Sequence, residues 1–179
     1  MNKAIFWDLL GTLGGASRSL LTEDFQLFKQ AIPALRAATQ KGYLNIIVSN
    51  QSQIAHGLMS LEDFNAAFFK LLNFLHAQGV MITGVYVCPH RTEDNCICKK
   101  PQPYFIEQAI NTYQLKRQFS YVIGDSWAND MVLAKNTGLN SILVLTGEGV
   151  NSLMVARENW QDAQPTHIAK DCLDALAYV

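Results

Sequence analysis

Asp8, Ser49 and Asp125 each stand at the end of an apolar run, and Lys100 lies in the segment that follows another, in a chain of 179 residues. Two carboxylates, a hydroxyl and an ammonium on one edge would suit a divalent cation together with a phosphate. A hard cation such as Mg²⁺ takes carboxylate and backbone oxygens, keeps several waters and shares substrate phosphate oxygens. The lysine and the hydroxyl would hold the remaining phosphate oxygens. Polar residues commonly end strands, but four in such positions together argue for a site. A second set is more tightly spaced. Cys88, His90, Cys96 and Cys98 read Cys-x-His-x5-Cys-x-Cys. Three thiolates and one imidazole suit a tetrahedral structural Zn²⁺. Their loop has few apolar residues, so a metal would supply order that packing cannot. A loop of reduced thiols is the alternative.

The elements that must carry these groups are read from period and punctuation. Lys3 to Trp7 is a short buried strand ending at Asp8, and Gly11, Gly14 and Gly15 make a loop after it. The helical pattern of Glu23 to Lys41 is interrupted by Pro33, which is expected to open a helix to about Gln40, capped by Gly42. Tyr43 to Val48 is a second strand, ending in "SNQSQ". Ser60 and Asp63 form a capping box for a helix to about Ala77, with Phe64, Phe68, Leu71, Leu72 and Leu75 as its apolar face. Gly84 to Val87 is a third strand, Pro103 to Tyr113 a helix, Phe119 to Ile123 a fourth strand, and Trp127 to Asn136 a helix closed by Gly138. Ser141 to Leu145 is a fifth strand. A helix from Val150 to Asn159, a short strand from Thr166 to Ala169 and a helix from about Asp171 complete the tail.

This alternation predicts an α/β fold: a three-layer, Rossmann-like parallel sheet with helices on both faces. In such a sheet ligands bind at the carboxyl ends of the strands, where Asp8, Ser49 and Asp125 fall. The length suits a single domain over residues 1–179. With 49% hydrophobic and 16% charged residues the composition is globular, and a net charge of −1 without a basic block argues against a nucleic-acid surface. No apolar run reaches the roughly 18 residues of a membrane span, and the N-terminal stretch does not read as a signal peptide. A cytoplasmic monomer or small homo-oligomer acting on a small molecule is the expectation.

In their order along the chain these residues resemble the motifs of the haloacid dehalogenase (HAD) superfamily. Asp8-Leu9-Leu10-Gly11-Thr12 is similar to the first motif, Asp-x-Asp-Gly-Thr. Ser49 in "IIVSNQS" matches the second, Lys100 in "CKKP" the third, and Gly124, Asp125 and Asp130 in "VIGDSWAND" the fourth. The resemblance implies Asp8 as the nucleophile that forms an aspartyl-phosphate. It implies Asp8, the Leu10 carbonyl and Asp125 as Mg²⁺ ligands, Ser49 and Lys100 as holders of the phosphoryl group, and Asp130 as an orienting group. The zinc loop, with Cys88-Pro89-His90, Cys96-Ile97-Cys98 and Lys99-Lys100-Pro101, is similar to that of the capless HAD branch of heptose bisphosphate and histidinol-phosphate phosphatases. In that branch the zinc is structural and places the following basic pair beside the substrate. "SNQSQIAHG" over residues 49–57 looks closer to the heptose group. The substrate-binding residues implied are Asn50, Gln51 and Lys99. Lys99 and His56 stand where members have arginines, and lysine lacks the planar fork of arginine. The stretches from Asp8 to Ser49 and from Ser49 to Lys100 leave no room for a large cap domain.

Leu10 departs most from the motif. The second Asp of the family motif protonates the leaving alcohol and then activates water, and leucine does neither. Loss of a general acid typically costs about 10²–10⁴-fold. The metal site keeps its donor, because position 10 contributes a backbone carbonyl. The reading is an Mg²⁺-dependent phosphatase acting on a small phosphorylated metabolite such as a sugar phosphate, slow or restricted to good leaving groups. The alternatives are a catalytically degenerate phospho-ligand binder and other HAD chemistry. His56 would replace the missing base only if its ring faces the site. Glu148 reaches the rim or lies in a solvated turn, and Trp127 walls the site or packs in the core. His76, His167 and Cys172 read as structural.

Overall fold

The computed structural model describes residues 2–17, 19–22, 24–155 and 163–179. Its centre is β1 (Lys3–Trp7), in which Ala4, Ile5, Phe6 and Trp7 are all fully buried. A strand covered on both faces reads as a continuous apolar run rather than an alternating one. The period-two geometry divides that run. Ile5 and Trp7 face a core built with α1 (Ala31–Gln40) and α2 (Leu61–Ala77). Ala4 and Phe6 face the opposite core, with α3 (Tyr104–Tyr113) and α4 (Val132–Thr137). The remaining strands are β2 (Tyr43–Asn50), β3 (Gly84–Cys88), β4 (Tyr121–Gly124), β5 (Asn140–Val144) and β6 (His167–Ala169), with α5 (Gly149–Val155) before β6. The six-stranded sheet has the order β3-β2-β1-β4-β5-β6 and every pair is parallel. This is the expected three-layer architecture.

Chain order reverses between β1 and β4. That reversal opens a crevice above their carboxyl ends, the place where ligands bind in such sheets. Residues 8–42 and 51–83 contribute one helix each and no strand of the sheet among the described residues. No helix of the described residues is long and apolar enough to cross a membrane.

Local differences from the sequence expectations have physical reasons. The first long helix starts at Ala31, not Pro33. Pro33 lies in its first turn, where backbone N–H groups have no intrahelical partner to lose. Phe119 ends a 3₁₀ turn (Arg117–Phe119) rather than opening β4. Trp127–Met131 forms a π-helical turn before α4, with Asp130 N and Met131 N both donating to Ser126 O. The last segment is a 3₁₀ helix (Asp174–Tyr178). The second half of the helix expected over Val150 to Asn159 lies outside the described residues. Ser60 does cap α2, accepting from Asp63 N at 3.0 Å.

One buried polar residue ties the central strands to α1. Asn45 accepts from Trp7 Nε1 at 2.9 Å and donates to Leu35 O at 3.1 Å and Thr39 Oγ1 at 3.0 Å. Asn45→Ala strands the indole N–H, worth about 1–3 kcal/mol when left unpaired in the interior, whereas the Leu35 carbonyl keeps its bond from Thr39 Oγ1 at 3.1 Å. Urea unfolding is expected to show a loss of roughly 1–3 kcal/mol with an unchanged m-value. A loss below about 1 kcal/mol would show that water replaces the amide.

Candidate active site

Asp8 follows β1 directly, and its amide donates to Ile123 O of β4 at 3.0 Å, so the carboxylate stands over the crevice. Lys100 Nζ donates to Asp8 Oδ1 at 2.6 Å and to Asp130 Oδ1 at 2.7 Å. Lys100 is 4% exposed and Asp130 1%. A buried charge persists only when it is paired and hydrogen-bonded. Burial alone would lower the lysine pKa, but Asp130 and Asp8 outweigh it and hold the ammonium well above its usual range. Thr12 Oγ1 donates to Asp8 Oδ2 at 3.2 Å.

Asp125 stands at the end of β4. Its Oδ2 accepts from Ser17 Oγ at 2.5 Å and from Glu148 N at 2.7 Å. Burial, then the charges of Asp8 and Asp130, push its pKa from 3.8 up to about 7, against those two hydrogen bonds. Burial and the Asp8 charge likewise raise Asp130 to about 6, although Lys100 opposes them. The π-turn places Asp130 by bonding its Oδ2 to Ser126 N at 3.1 Å. Gly124 is required beneath it, since a Cβ there would lie 2.2 Å from the Asp130 carboxyl carbon.

Carboxylate oxygens of Asp8, Asp125 and Asp130 lie within 4.8 Å of one another. Three carboxylates against one ammonium leave negative charge in excess, and the donors are hard oxygens. Among the described residues no backbone hydrogen bond ends on Leu10 O. These residues fit a divalent cation such as Mg²⁺. The leucine side chain is buried with the α1/α2 core and also forms part of the cavity wall.

That cavity has a volume of about 480 Å³. Asp8, Lys100, Asp125 and Asp130 lie at one end. Asn50, Ser52, Gln53, His56, Leu58, Thr92 and Lys99 also line it, with Ser17, Ser126, Asn129 and Glu148. His56 and Glu148 therefore do reach the site. Trp127 does not line it and donates instead to Ala163 O at 3.1 Å. His167 stacks on Tyr178, and Cys172 is buried.

The residues expected to bind substrate also bond to the protein itself. The Asn50 amide binds the Lys100 backbone twice, accepting from its N at 2.9 Å and donating to its O at 3.1 Å. Gln51 is buried behind the wall, and its Nε2 donates to Ser49 Oγ at 2.9 Å. In that bond Ser49 is the acceptor, so its hydroxyl proton remains for another group. Lys99 lines the cavity, but its ammonium donates to His90 O at 3.1 Å. All three thus support neighbouring parts of the site. The sequence expectations missed Ser17, Ser126 and Asn129. Ser17 sits in a loop without period, and no spacing marks it.

The thiols of Cys88, Cys96 and Cys98 and Nδ1 of His90 cluster at the end of β3. The Sγ–Sγ separations are 3.5, 3.2 and 3.6 Å, and His90 Nδ1 lies 3.6 Å from Cys88 and 3.4 Å from Cys98. A tetrahedron with zinc–sulfur arms of about 2.3 Å has edges near 3.8 Å. The four ligands fit Zn²⁺ with little adjustment, and all four cysteines of the chain are free.

With the geometry in view, four likenesses bear on it. A family model described as HAD-hydrolase-like matches residues 97–175. The chain is 35% identical over 160 residues to the D-glycero-beta-D-manno-heptose-1,7-bisphosphate 7-phosphatase of Pasteurella multocida, covering 84% of this chain and 85% of that one. It is 34% identical over 143 residues to the histidine biosynthesis bifunctional protein HisB of Legionella pneumophila, covering 78% of this chain but only 40% of that longer protein. Its fold matches a D,D-heptose 1,7-bisphosphate phosphatase from B. bronchiseptica complexed with magnesium and phosphate, with a TM-score of 0.87 and 24% identity over 98% of this chain and 97% of that one.

The raised carboxyl pKa values have a measurable consequence. A carboxyl whose folded pKa lies above its unfolded value holds its proton more tightly when folded. Its contribution is then greatest below about 4 and is lost as pH rises through the folded value. In buffer without Mg²⁺ or Mn²⁺, the denaturation midpoint is expected to fall from pH 5.5 to pH 7.5 as Asp130 and Asp125 ionise near 6 and 7. Asp125→Asn should flatten this fall. A midpoint that rises over the same range in the native protein would contradict the assignment.

Proposed function

The chain belongs to the HAD-like hydrolases, alongside the heptose-1,7-bisphosphate 7-phosphatases, and on that premise we propose that it is an Mg²⁺-dependent phosphomonoester hydrolase. Its substrate class is a small phosphorylated metabolite, such as a sugar phosphate. The observation that carries this reading is the buried ammonium of Lys100, held between Asp8 and Asp130 beside Asp125 at the sheet's switch point. A bound Mg²⁺, held by Asp8, Asp125 and the Leu10 carbonyl, would supply charge neutralisation for the phosphoryl oxygens.

The protein's own groups supply the remaining work. Asp8 attacks phosphorus, and the bond from phosphorus to the leaving oxygen breaks, giving an aspartyl-phosphate. Lys100 offsets negative charge on the transferring group, and Ser49 has a hydroxyl proton to donate to it. Asp130 and the Asn50 clamp hold Lys100 in place. Water then releases phosphate and regenerates Asp8. The leaving oxygen departs without a proton from position 10, because leucine has none. The reaction is therefore fastest where the leaving group is already a stable anion, as in acyl or aryl phosphates. His56 and Glu148 line the cavity and are the titratable groups nearest to filling part of that role. A structural Zn²⁺ on Cys88, His90, Cys96 and Cys98 would fix the segment that ends in Lys100. Thiolate ligands of this kind suit a reducing compartment such as the cytoplasm.

The apolar side chain at position 10 also favours a second reading, a phospho-ligand binder that keeps the cation site without turnover. Hydrolysis of p-nitrophenyl phosphate with Mg²⁺ separates the two. Native protein is expected to turn over, Asp8→Asn to lose at least about 10³-fold, and Leu10→Asp to gain about 10²–10⁴-fold on alkyl phosphates. Native protein and Asp8→Asn equally inactive, with activity appearing only in Leu10→Asp, would establish the binder. Elemental analysis of the purified chain should find one zinc per molecule, and Cys96→Ser should lower that content and the thermal midpoint together.

A further inference from the structure

We infer that Ser17 is a positioning residue for the cation ligand Asp125, selecting which carboxylate oxygen faces the metal. The inference rests on the reading of Asp125 as a ligand. Two chain segments converge on one atom, Asp125 Oδ2. Ser17 Oγ donates to it at 2.5 Å from the loop after β1, and Glu148 N donates at 2.7 Å from the turn after β5. Two glycines press their backbones against the same pair. A Cβ at Gly11 would lie 2.2 Å from Oδ2 and 2.5 Å from Ser17 Oγ. A Cβ at Gly147 would lie 2.0 Å from Oδ2 and 2.7 Å from Ser17 Oγ.

Oδ2 is thus boxed, with two donors directed at its lone pairs. No hydrogen bond among the described residues ends on Oδ1. One oxygen is held by the protein and the other is left for the cation. Partners of metal ligands fix ligand orientation and basicity, and their loss typically lowers metal affinity about 10–100-fold. Ser17 differs from Glu148 in one respect. The Glu148 contact is made by the backbone and survives any side-chain change, whereas the Ser17 contact depends on a hydroxyl from a loop that also lines the cavity. The loop after β1 therefore adjusts the cation site through a single oxygen.

The test compares Ser17→Thr with Ser17→Val, which match in shape and differ in the hydroxyl. Mn²⁺ is titrated onto the full chain, zinc retained, and free Mn²⁺ is counted by its electron paramagnetic resonance signal. The Kd for Mn²⁺ should rise about 10-fold or more in Ser17→Val and stay within about threefold of native in Ser17→Thr. A Kd in Ser17→Val within threefold of native, or equal weakening in both variants, would overturn the inference. Equal zinc content and far-UV circular dichroism check folding, and Ser17→Ala takes the place of Ser17→Val if that variant does not fold. Native protein that takes up no Mn²⁺ would overturn the cation-dependent reading itself, a result distinct from failure of the Ser17 comparison.

Discussion

A lysine ammonium buried between two carboxylates is the constraint around which the rest of the site is organised. An isolated buried charge is strongly unfavourable, and removing one partner from a buried pair leaves the other uncompensated. Lys100 therefore needs Asp8 from the end of β1 and Asp130 from the π-turn after β4 at fixed distances. An ordinary α-helical start after Ser126 would aim position 130 differently. The π-turn, the glycine at 124 and the Ser126 amide together set that carboxylate under the ammonium. On the other side of the sheet, Asn50 grips both polar atoms of the Lys100 backbone from the end of β2. Segments that are distant in sequence thus converge on one residue.

The cysteine–histidine loop is mechanically joined to the same point. Cys88 pairs in register with Asn50, and Gln51 N donates to Cys88 O at 2.7 Å. The loop then leaves β3, buries little, and returns as Cys96-Ile97-Cys98-Lys99-Lys100, with Ile97 65% exposed. Packing cannot order such a segment, because it places too little apolar surface out of water. A cation shared by four ligands can. The Lys99 ammonium on the His90 carbonyl closes the loop on itself. A tethered loop of this kind delivers Lys100 into an interior position that its own sequence would not favour.

How much of this was legible in the chain follows from the range of each interaction. The strands were legible because β1 is buried on both faces and reads as an uninterrupted apolar run. The carboxyl-edge residues were legible because parallel topology puts every strand end on one side. The roles of Asn50 and Gln51 were not. Both sit at a strand end where polar side chains face ligand or protein equally well, and only the position of Lys100 and Ser49 decides which. Ser17 was illegible for a stronger reason. Its partner is 108 residues away, and the loop that carries it has no hydrophobic period to fix its path. The π-turn was read as plain helix because its extra residue per turn leaves the apolar pattern of the following helix intact.

Leu10 takes its meaning from the charge balance of the cluster. An aspartate there would add a fourth carboxylate beside three that already outnumber the single ammonium. Burial and mutual repulsion already hold Asp125 near 7. A further negative charge would raise the electrostatic cost of the cation-free state. The leucine instead packs with Trp7, Leu9 and Leu13 in the α1/α2 core. The substitution therefore pulls in two directions. It places no titratable group at position 10, and it adds no further charge to a cluster already rich in carboxylates.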